Sequence, residues 1–213
     1  MNAIRVRFLL CCLLACSAAA WAAGGSSGST ARPSGPTPEQ RAAQQYETGL
    51  RHRDKAWEHE KKAAAADKEK DRRKSLEKAQ KEFDKAAKAQ RKAVGLAPSM
   101  HQAHSSLGYA LRRLGRYDEA LAAYDRALEL EPDYVEAIEY RAETYLGLGR
   151  YAETQKAYAA LKAKNPRYAL QLLEAMGQWS AAAADTSQAG AAMRAWVAEQ
   201  AEKPPAEDGG KAW

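Results

Sequence analysis

The fold of this chain is decided by the stretch MHQAHSSLGYALRRLGRYDEALAAYDRALELEP, which occupies residues 100–132. Its two halves are rich in alanine and leucine, and they meet at Gly115, where glycine supplies the backbone freedom of a tight turn. Pro132 closes the second half, because proline stops a helix. The small residues Gly108 and Ala120 would let two helices approach closely. The stretch therefore predicts two short helices packed as a hairpin.

The pattern recurs along the chain with a fixed period, because Pro98, Pro132 and Pro166 are equally spaced. The turn sequence Gly115-Arg116-Tyr117 returns one period later as Gly149-Arg150-Tyr151. One hairpin cannot bury its apolar face alone, so neighbouring hairpins are expected to stack on each other.

Residues 101–134 resemble a tetratricopeptide repeat, and residues 135–168 resemble a second one. The positions that carry the resemblance in the first repeat are Leu107, Gly108, Gly115, Tyr117, Ala120, Tyr124, Ala127 and Pro132. The resemblance implies an all-α solenoid of antiparallel helical hairpins that works through protein contacts. It does not identify a partner, because this scaffold carries many unrelated interactions.

Residues 39–98 are predicted to form an extended first hairpin. Gly49 and Ala86, the counterparts of Gly108 and Ala120, are separated by a much longer stretch of chain than in a regular repeat. This proline-free surplus could be one uninterrupted helix or two long helices that fold back near Asp67-Lys68. The apolar spacing favours the hairpin, with Trp57 beside Leu76 and Ala79. The apolar stripe of its first half consists of Tyr46, Leu50, Trp57 and Ala64.

Capping helices are predicted in residues 169–201, because a solenoid must cover its final apolar surface. A short helix over residues 168–176 is expected to end at Gly177. The last helix is expected to run from about Thr186 to Gln200. The helical domain as a whole is predicted to span residues 39–201.

The two ends of the chain are predicted to lie outside the fold. Residues 1–22 have the composition of a secretory signal peptide, which predicts an exported, periplasmic protein. The alternative is a lipid-anchored envelope protein, since Leu13-Leu14-Ala15-Cys16 resembles a lipobox and would be lipidated at Cys16. We expect a disordered linker over residues 23–38, with Thr37 capping the first helix, and a disordered tail over residues 202–213.

Positive charge is concentrated in the extended hairpin. The chain has a net charge of +6, while residues 51–92 alone contain 16 Lys and Arg against 9 Asp and Glu. These mixed charges are compatible with an ordinary solvated helix pair. They could also attract anionic lipid or another polyanion. Nucleic acid is not the expected partner, because the stretch has no aromatic stacking platform or reading motif.

No catalytic, metal or cofactor motif is present in the sequence. His101 and His104 have a spacing that could hold a metal, but no third ligand is apparent nearby. No glycine-framed nucleophile or phosphate-binding glycine loop occurs. We therefore expect neither enzymatic activity nor a cofactor.

The resemblance implies a concave groove lined by the first helix of each repeat. The positions that it assigns to partner binding are Tyr46, Leu50, Arg53, Gln102, Ser105, Tyr109, Arg112, Arg113, Glu136, Glu139, Glu143 and Leu146. This set predicts a basic stretch beside an acidic one, with Tyr46 and Tyr109 as aromatic contacts. The paired lysine and asparagine contacts of the carboxylate clamp in heat-shock co-chaperones are absent.

These observations predict an exported scaffold or adaptor that holds a protein or peptide in its groove, in cell-envelope assembly or secretion. The alternative is a structural envelope-associated protein that binds membrane or another polyanion through the basic hairpin, residues 51–92. The oligomeric state is not predicted.

Overall fold

The computed structural model describes residues 35–182 and 185–205, and these residues form eight α-helices with no strand among them. The all-α prediction is confirmed. The helices are α1 Pro38–Ala64, α2 Glu69–Leu96, α3 His101–Arg113, α4 Tyr117–Leu130, α5 Val135–Gly147, α6 Tyr151–Lys164, α7 Pro166–Ala182 and α8 Gln188–Glu202. Residues 1–34 and 206–213, which contain the predicted signal peptide and most of the linker and tail, lie outside the described residues.

The first helix begins where the sequence predicts it. Thr37 is its N-cap, and its side chain accepts a hydrogen bond from the backbone N–H of Gln40 at 3.2 Å. The Gln40 side chain in turn accepts one from the backbone N–H of Thr37 at 2.9 Å. This reciprocal capping box satisfies donors that a helix start would otherwise leave without partners.

The proline-free surplus forms two long helices rather than one. Helices α1 and α2 contain 27 and 28 residues, and residues 65–68 join them. Each is about 40 Å long, roughly twice the length of the regular helices α3 to α6. The buried positions of α1 are Ala42, Gly49, Ala56 and Ala63, a repeat of seven that contains only small residues. The two helices therefore pack along a narrow seam.

The buried residues of α1 differ from the predicted apolar stripe. Ala64 is exposed, and the buried alanine is its neighbour Ala63. Trp57 does pack against the cluster that contains Ala79, but Leu76 is 44% exposed. Because the two helices lie close together, only small side chains fit between them. The large apolar residues next to the seam therefore point toward neighbouring helices or solvent.

The two regular repeats have the turns that the sequence predicts. Gly115 and Gly149 have positive φ angles of 74° and 71°, which glycine adopts without the strain that a side chain adds. After each glycine, a backbone N–H reaches back to the preceding helix, from Arg116 to Leu111 and from Arg150 to Tyr145. These hydrogen bonds close the end of the first helix in each repeat.

Two tyrosines fill the centres of the repeats. The fully buried ring of Tyr124 lies against Gly108, where a Cβ atom would be only 2.7 Å from it. Tyr158, at the equivalent position of the next repeat, packs edge-on against Trp196 of α8 with ring centroids 5.4 Å apart. Close helix packing in the first repeat thus depends on the absence of a side chain at Gly108.

The C-terminal helices differ from the sequence prediction. Helix α7 continues through Gly177 to Ala182, so the prediction that Gly177 ends it is wrong. A glycine inside a helix costs about 1 kcal/mol relative to alanine, and here apolar packing on both sides outweighs that cost. Met176 is buried before the glycine, and after it Trp179 packs against Tyr151 with ring centroids 5.2 Å apart.

The last helix, α8, begins two residues later than expected and ends at Glu202. Ser187 caps it by accepting a hydrogen bond from the backbone N–H of Gly190 at 3.0 Å. Among the described helices, none combines the length and apolar character needed to cross a bilayer.

The two helical glycines Gly108 and Gly177 provide a test of this packing. Gly108→Ala is expected to lower the free energy of unfolding by about 1–3 kcal/mol, because the buried Tyr124 ring must shift. Gly177→Ala is the matched control, since nothing lies within 4 Å of its Cβ position. It should raise stability by up to about 1 kcal/mol. Urea unfolding measures both, and equal effects of the two substitutions would contradict the packing model.

Candidate functional site

The first helices of successive hairpins lie side by side. Helix α3 contacts both α1 and α5, and α5 also contacts α7. This row of α1, α3, α5 and α7 forms one face of the described molecule. Most of the positions that the resemblance assigns to partner binding lie on it.

A cavity of about 290 Å³ opens on this face, and we call it the tyrosine cavity. Its rim and walls come from all four helices and from the residue before α5. The lining residues are Tyr46, Arg53, Ser105, Ser106, Tyr109, Tyr134, Glu136, Tyr140 and Tyr168. The structure thus brings five of the twelve predicted groove residues into one cavity.

Three of the tyrosines in this cavity were missed by sequence reasoning. Tyr134 immediately precedes α5, Tyr140 follows Glu139 on the same helix, and Tyr168 belongs to α7. Each of the helices α1, α3, α5 and α7 contains a tyrosine that lines this cavity, and that repetition in the sequence could have indicated an aromatic surface. Tyr168 was overlooked because α7 was predicted only to cap the solenoid.

The tyrosine cavity continues into a groove. A second cavity, of about 280 Å³, shares Tyr109 and Tyr140 with it. A third, of about 490 Å³, shares Arg112, Arg113 and Glu143 with the second and extends to Trp179. The three cavities therefore form one concave path that runs parallel to α3 and α5.

Two arginines of this groove are paired within the protein. Arg112 contacts the Glu143 carboxylate at 2.5 Å, and Arg113 forms an ion pair with Glu60 of α1. The predicted basic stretch is therefore neutralised by carboxylates of the two neighbouring helices, and only one of those carboxylates, Glu143, belongs to the predicted acidic stretch. Sequence spacing could not show this, because the pairs depend on how the helices are aligned in space.

Arg112 is the most enclosed of these cations. Its guanidinium carbon lies 5.3 Å from the ring centre of Tyr109 and 5.9 Å from that of Tyr140. Burial acts to lower the pKa of Arg112, but the Glu143 carboxylate and the nearby tyrosines raise it above its ordinary value. Arg112 thus remains charged and fixes α3 against α5.

Glu139 is a carboxyl group without a cation of its own. Its residue is 4% exposed, and the nearby Arg112 is already bound to Glu143. Burial, followed by the effect of the neighbouring Glu143 carboxylate, raises the pKa of Glu139 to about 9. Glu139 therefore holds its proton at neutral pH. The sequence analysis expected it to be an acidic contact on the surface, and that expectation is wrong.

Tyr109 is also placed differently from the expectation that it is an exposed contact. The residue is 7% exposed, and Trp57 donates a hydrogen bond from Nε1 to its hydroxyl at 2.7 Å. Arg113 donates a second one at 3.2 Å. Tyr109 thus ties the extended hairpin to α3 and forms the floor of the groove. Ser105 and Leu146, 3% and 4% exposed, are also largely below the surface.

The accessible part of the predicted set is smaller. Tyr46, Arg53 and Glu136 are half-buried and line the tyrosine cavity. The Arg53 guanidinium carbon lies 4.4 Å from the Trp57 ring centre, and Tyr168 donates its hydroxyl to Glu136 at 2.7 Å. Leu50 and Gln102 are half-buried but line none of the three groove cavities.

The histidine pair does not form a metal site with other side chains in the described part of the chain. His101 packs edge-on against Tyr134 with ring centres 4.8 Å apart, and the His104 ring contacts the Pro98 carbonyl at 3.0 Å. Among residues 35–182 and 185–205, no group of three or more His, Cys, Asp or Glu residues could hold a metal ion.

Two overlapping parts of the chain, residues 101–134 and 123–156, match family models described as tetratricopeptide repeat. The chain carries tetratricopeptide repeats. The fold is accordingly that of a tetratricopeptide-repeat solenoid, with an extended first hairpin and two terminal helices. Such repeats are in general scaffolds for protein interaction rather than enzymes.

Several solved structures are similar to this chain, and two of them are described as TPR domains. The TPR2B domain of yeast Sti1 in its pHsp70 complex is 22% identical, with 68% of this chain and 98% of that one covered and a TM-score of 0.35. The Sgt2 TPR domain of Aspergillus fumigatus is 20% identical, with coverages of 74% and 90% and a TM-score of 0.38. The MamA protein is 18% identical, with coverages of 76% and 88% and a TM-score of 0.43. No curated protein matches the chain.

The raised pKa of Glu139 predicts a specific pH dependence of stability. Because the folded carboxyl releases its proton at a higher pH than the unfolded one, which ionises near 4.5, this group lowers stability as pH rises above about 4.5. Glu139→Gln should therefore raise the free energy of unfolding at pH 7.5 by roughly 1–3 kcal/mol. The gain should be nearly lost at about pH 3.5, where the carboxyl is protonated in both states.

Urea unfolding between pH 3.5 and pH 9 measures this effect. Glu199→Gln is the control, because Glu199 is exposed on α8. A difference between Glu139→Gln and the natural chain that stays constant with pH would contradict the assignment.

Proposed function

We propose that this chain is a scaffold that holds a short segment of a partner protein in the groove between α1, α3, α5 and α7. The proposal rests on the tyrosine cavity, in which side chains from four helices surround about 290 Å³. Tyrosine and arginine are the side chains that most often contribute strongly to protein interfaces. A tyrosine ring also provides a large contact area with few rotatable bonds to immobilise.

The groove favours a segment that lies along the helices. It follows α5 from Glu136 to Gly147, a rise of about 17 Å, which equals the length of about five residues of extended chain. The ion pairs Arg112–Glu143 and Arg113–Glu60 form a rigid floor below this path. A floor whose charges are already paired is expected to discriminate through shape and hydrogen bonds more than through net charge.

Specificity would come from the groups that are still accessible. Arg53 and Glu136 supply one cation and one anion in the tyrosine cavity, and the hydroxyls of Tyr46 and Ser106 lie beside them. Together they can accept and donate hydrogen bonds to a peptide backbone while the rings contact its side chains. The proposed partner segment is therefore mixed in polarity, with one side chain inserted into the tyrosine cavity.

We further propose that this interaction takes place outside the cytoplasm, in cell-envelope assembly or secretion. The support is the sequence of residues 1–22, which has the basic start, apolar run and small-residue end of an export signal. Lipidation at Cys16 would instead anchor the scaffold to a membrane.

Photocrosslinking in cells tests the groove. A photoreactive amino acid at Tyr46 is expected to capture one defined protein, whereas the same probe at Lys156, exposed on α6, should not capture it. The captured protein is identified by mass spectrometry and then purified for binding measurements. The absence of an adduct at Tyr46, or the same adducts at both positions, would contradict the proposal.

Charge reversal then tests the tyrosine cavity itself. Arg53→Glu and Glu136→Lys are each expected to weaken binding of the captured partner by tenfold or more. Lys156→Glu is the control for a change of charge on another surface. Arg112 and Tyr109 are poor choices for this test, because their buried contacts support the fold. Circular dichroism must show unchanged helix content, and full affinity in both variants would exclude the tyrosine cavity as the contact.

A further inference from the structure

The extended hairpin has turns that the solenoid does not need for its core. Arg113, the last residue of α3, pairs with Glu60, and Gln80 of α2 lines a cavity with the α3–α4 turn. Residues 61–78 therefore project beyond the neighbouring repeat by about 15 Å. We call this projecting segment the hairpin tip.

The hairpin tip buries very little. Ala63 is its one buried residue, and Leu76, the largest apolar side chain in it, is 44% exposed. The added turns thus contribute little apolar burial to folding. Their main physical contribution is to carry charged side chains away from the body of the protein.

Those charges are predominantly positive. The hairpin tip contains eight Lys and Arg residues against four Asp and Glu. Within the described residues, only two of these cations form ion pairs, Lys61 with Glu58 and Arg72 with Glu69. Both pairs are largely exposed and hence weak. The other six cations are Lys62, Lys68, Lys70, Arg73, Lys74 and Lys78.

The neighbouring helix α4 has no such excess of positive charge. Its exposed carboxylates are Asp118, Glu119, Asp125 and Glu129, and the last three each pair with an arginine. An anionic surface would therefore attract the hairpin tip rather than α4. Since charge effects fade over about 8 Å in physiological salt, a projection of this length can make contact while α4 stays out of range.

We propose that the hairpin tip docks the protein on an anionic lipid surface. A lipid surface is preferred to a nucleic acid because the tip offers cations and an exposed leucine but no aromatic ring on which bases could stack. Docking leaves the tyrosine cavity free. The inference is therefore independent of the proposed groove function.

Vesicle co-sedimentation tests this proposal. The purified chain from Ala23 onward retains every described helix and lacks the apolar run of residues 8–16. It should bind vesicles of phosphatidylglycerol and phosphatidylcholine, but not vesicles of phosphatidylcholine alone. Binding should fall steeply as salt is raised, because the attraction is electrostatic.

Matched charge reversals locate the contact. The triple variant Lys70→Glu, Arg73→Glu and Lys74→Glu is expected to lose tenfold or more in vesicle affinity. The control triple Lys156→Glu, Lys162→Glu and Arg167→Glu makes the same change in net charge on α6 and α7, and it should bind nearly as the natural chain does. Equal losses in both triples would overturn the proposal, because net charge alone would then explain binding.

Two further measurements separate the remaining outcomes. Tyr46→Ala, a groove variant, should bind vesicles as well as the natural chain, and a loss there would contradict the independence of the two surfaces.

Polyphosphate and a 30-base single-stranded DNA serve as soluble polyanions. Tighter binding to either one than to the vesicles at equal charge concentration would overturn the choice of lipid.

Discussion

The structure depends on close contact between helices at positions that have almost no side chain. Gly108 lets the Tyr124 ring lie directly against the backbone of α3, and Gly49 gives the same room to Gln90 at the base of the extended hairpin. When the two helices of a hairpin pack this closely, the next hairpin can pack against both of them. Stacking of the repeats, and the groove that stacking creates, follow from these contacts.

The stacked first helices give the groove its character. Side chains that lie between two neighbouring first helices contact residues of the adjacent helix. Charged groups of the groove form ion pairs in this way. Arg112, Arg113 and Glu143 are fixed in this way. The groove therefore combines a rigid, internally neutral floor with a small set of accessible polar groups and several tyrosine rings.

Much of the fold could be predicted because its signals are local. Gly115 and Gly149 mark turns, Thr37 marks a helix start, and the prolines set the period, each through the conformation of one or two residues. Gly177 misled the prediction because a lone glycine breaks a helix only when packing on either side is weak. That packing comes in part from Tyr151, which begins the preceding helix and is far from Trp179 in the sequence.

The site was less predictable, because it depends on relations between helices. The resemblance placed Tyr46, Arg53 and Glu136 on one face, where they do line one cavity, but it could not show that Glu139 is buried or that Tyr109 is held by Trp57. Those facts depend on the rotation of each helix about its axis.

The seam of the extended hairpin has a consequence for local stability. Its buried positions Ala42, Gly49, Ala56 and Ala63 are all small, yet the contacts of α3 with α1 extend only as far as Glu60. Amide hydrogens should therefore exchange with solvent along a gradient, slowest beside α3 and fastest near the turn at residues 65–68. The far end can open and close while the repeats stay folded, so it can adapt to a surface without cost to the rest of the protein.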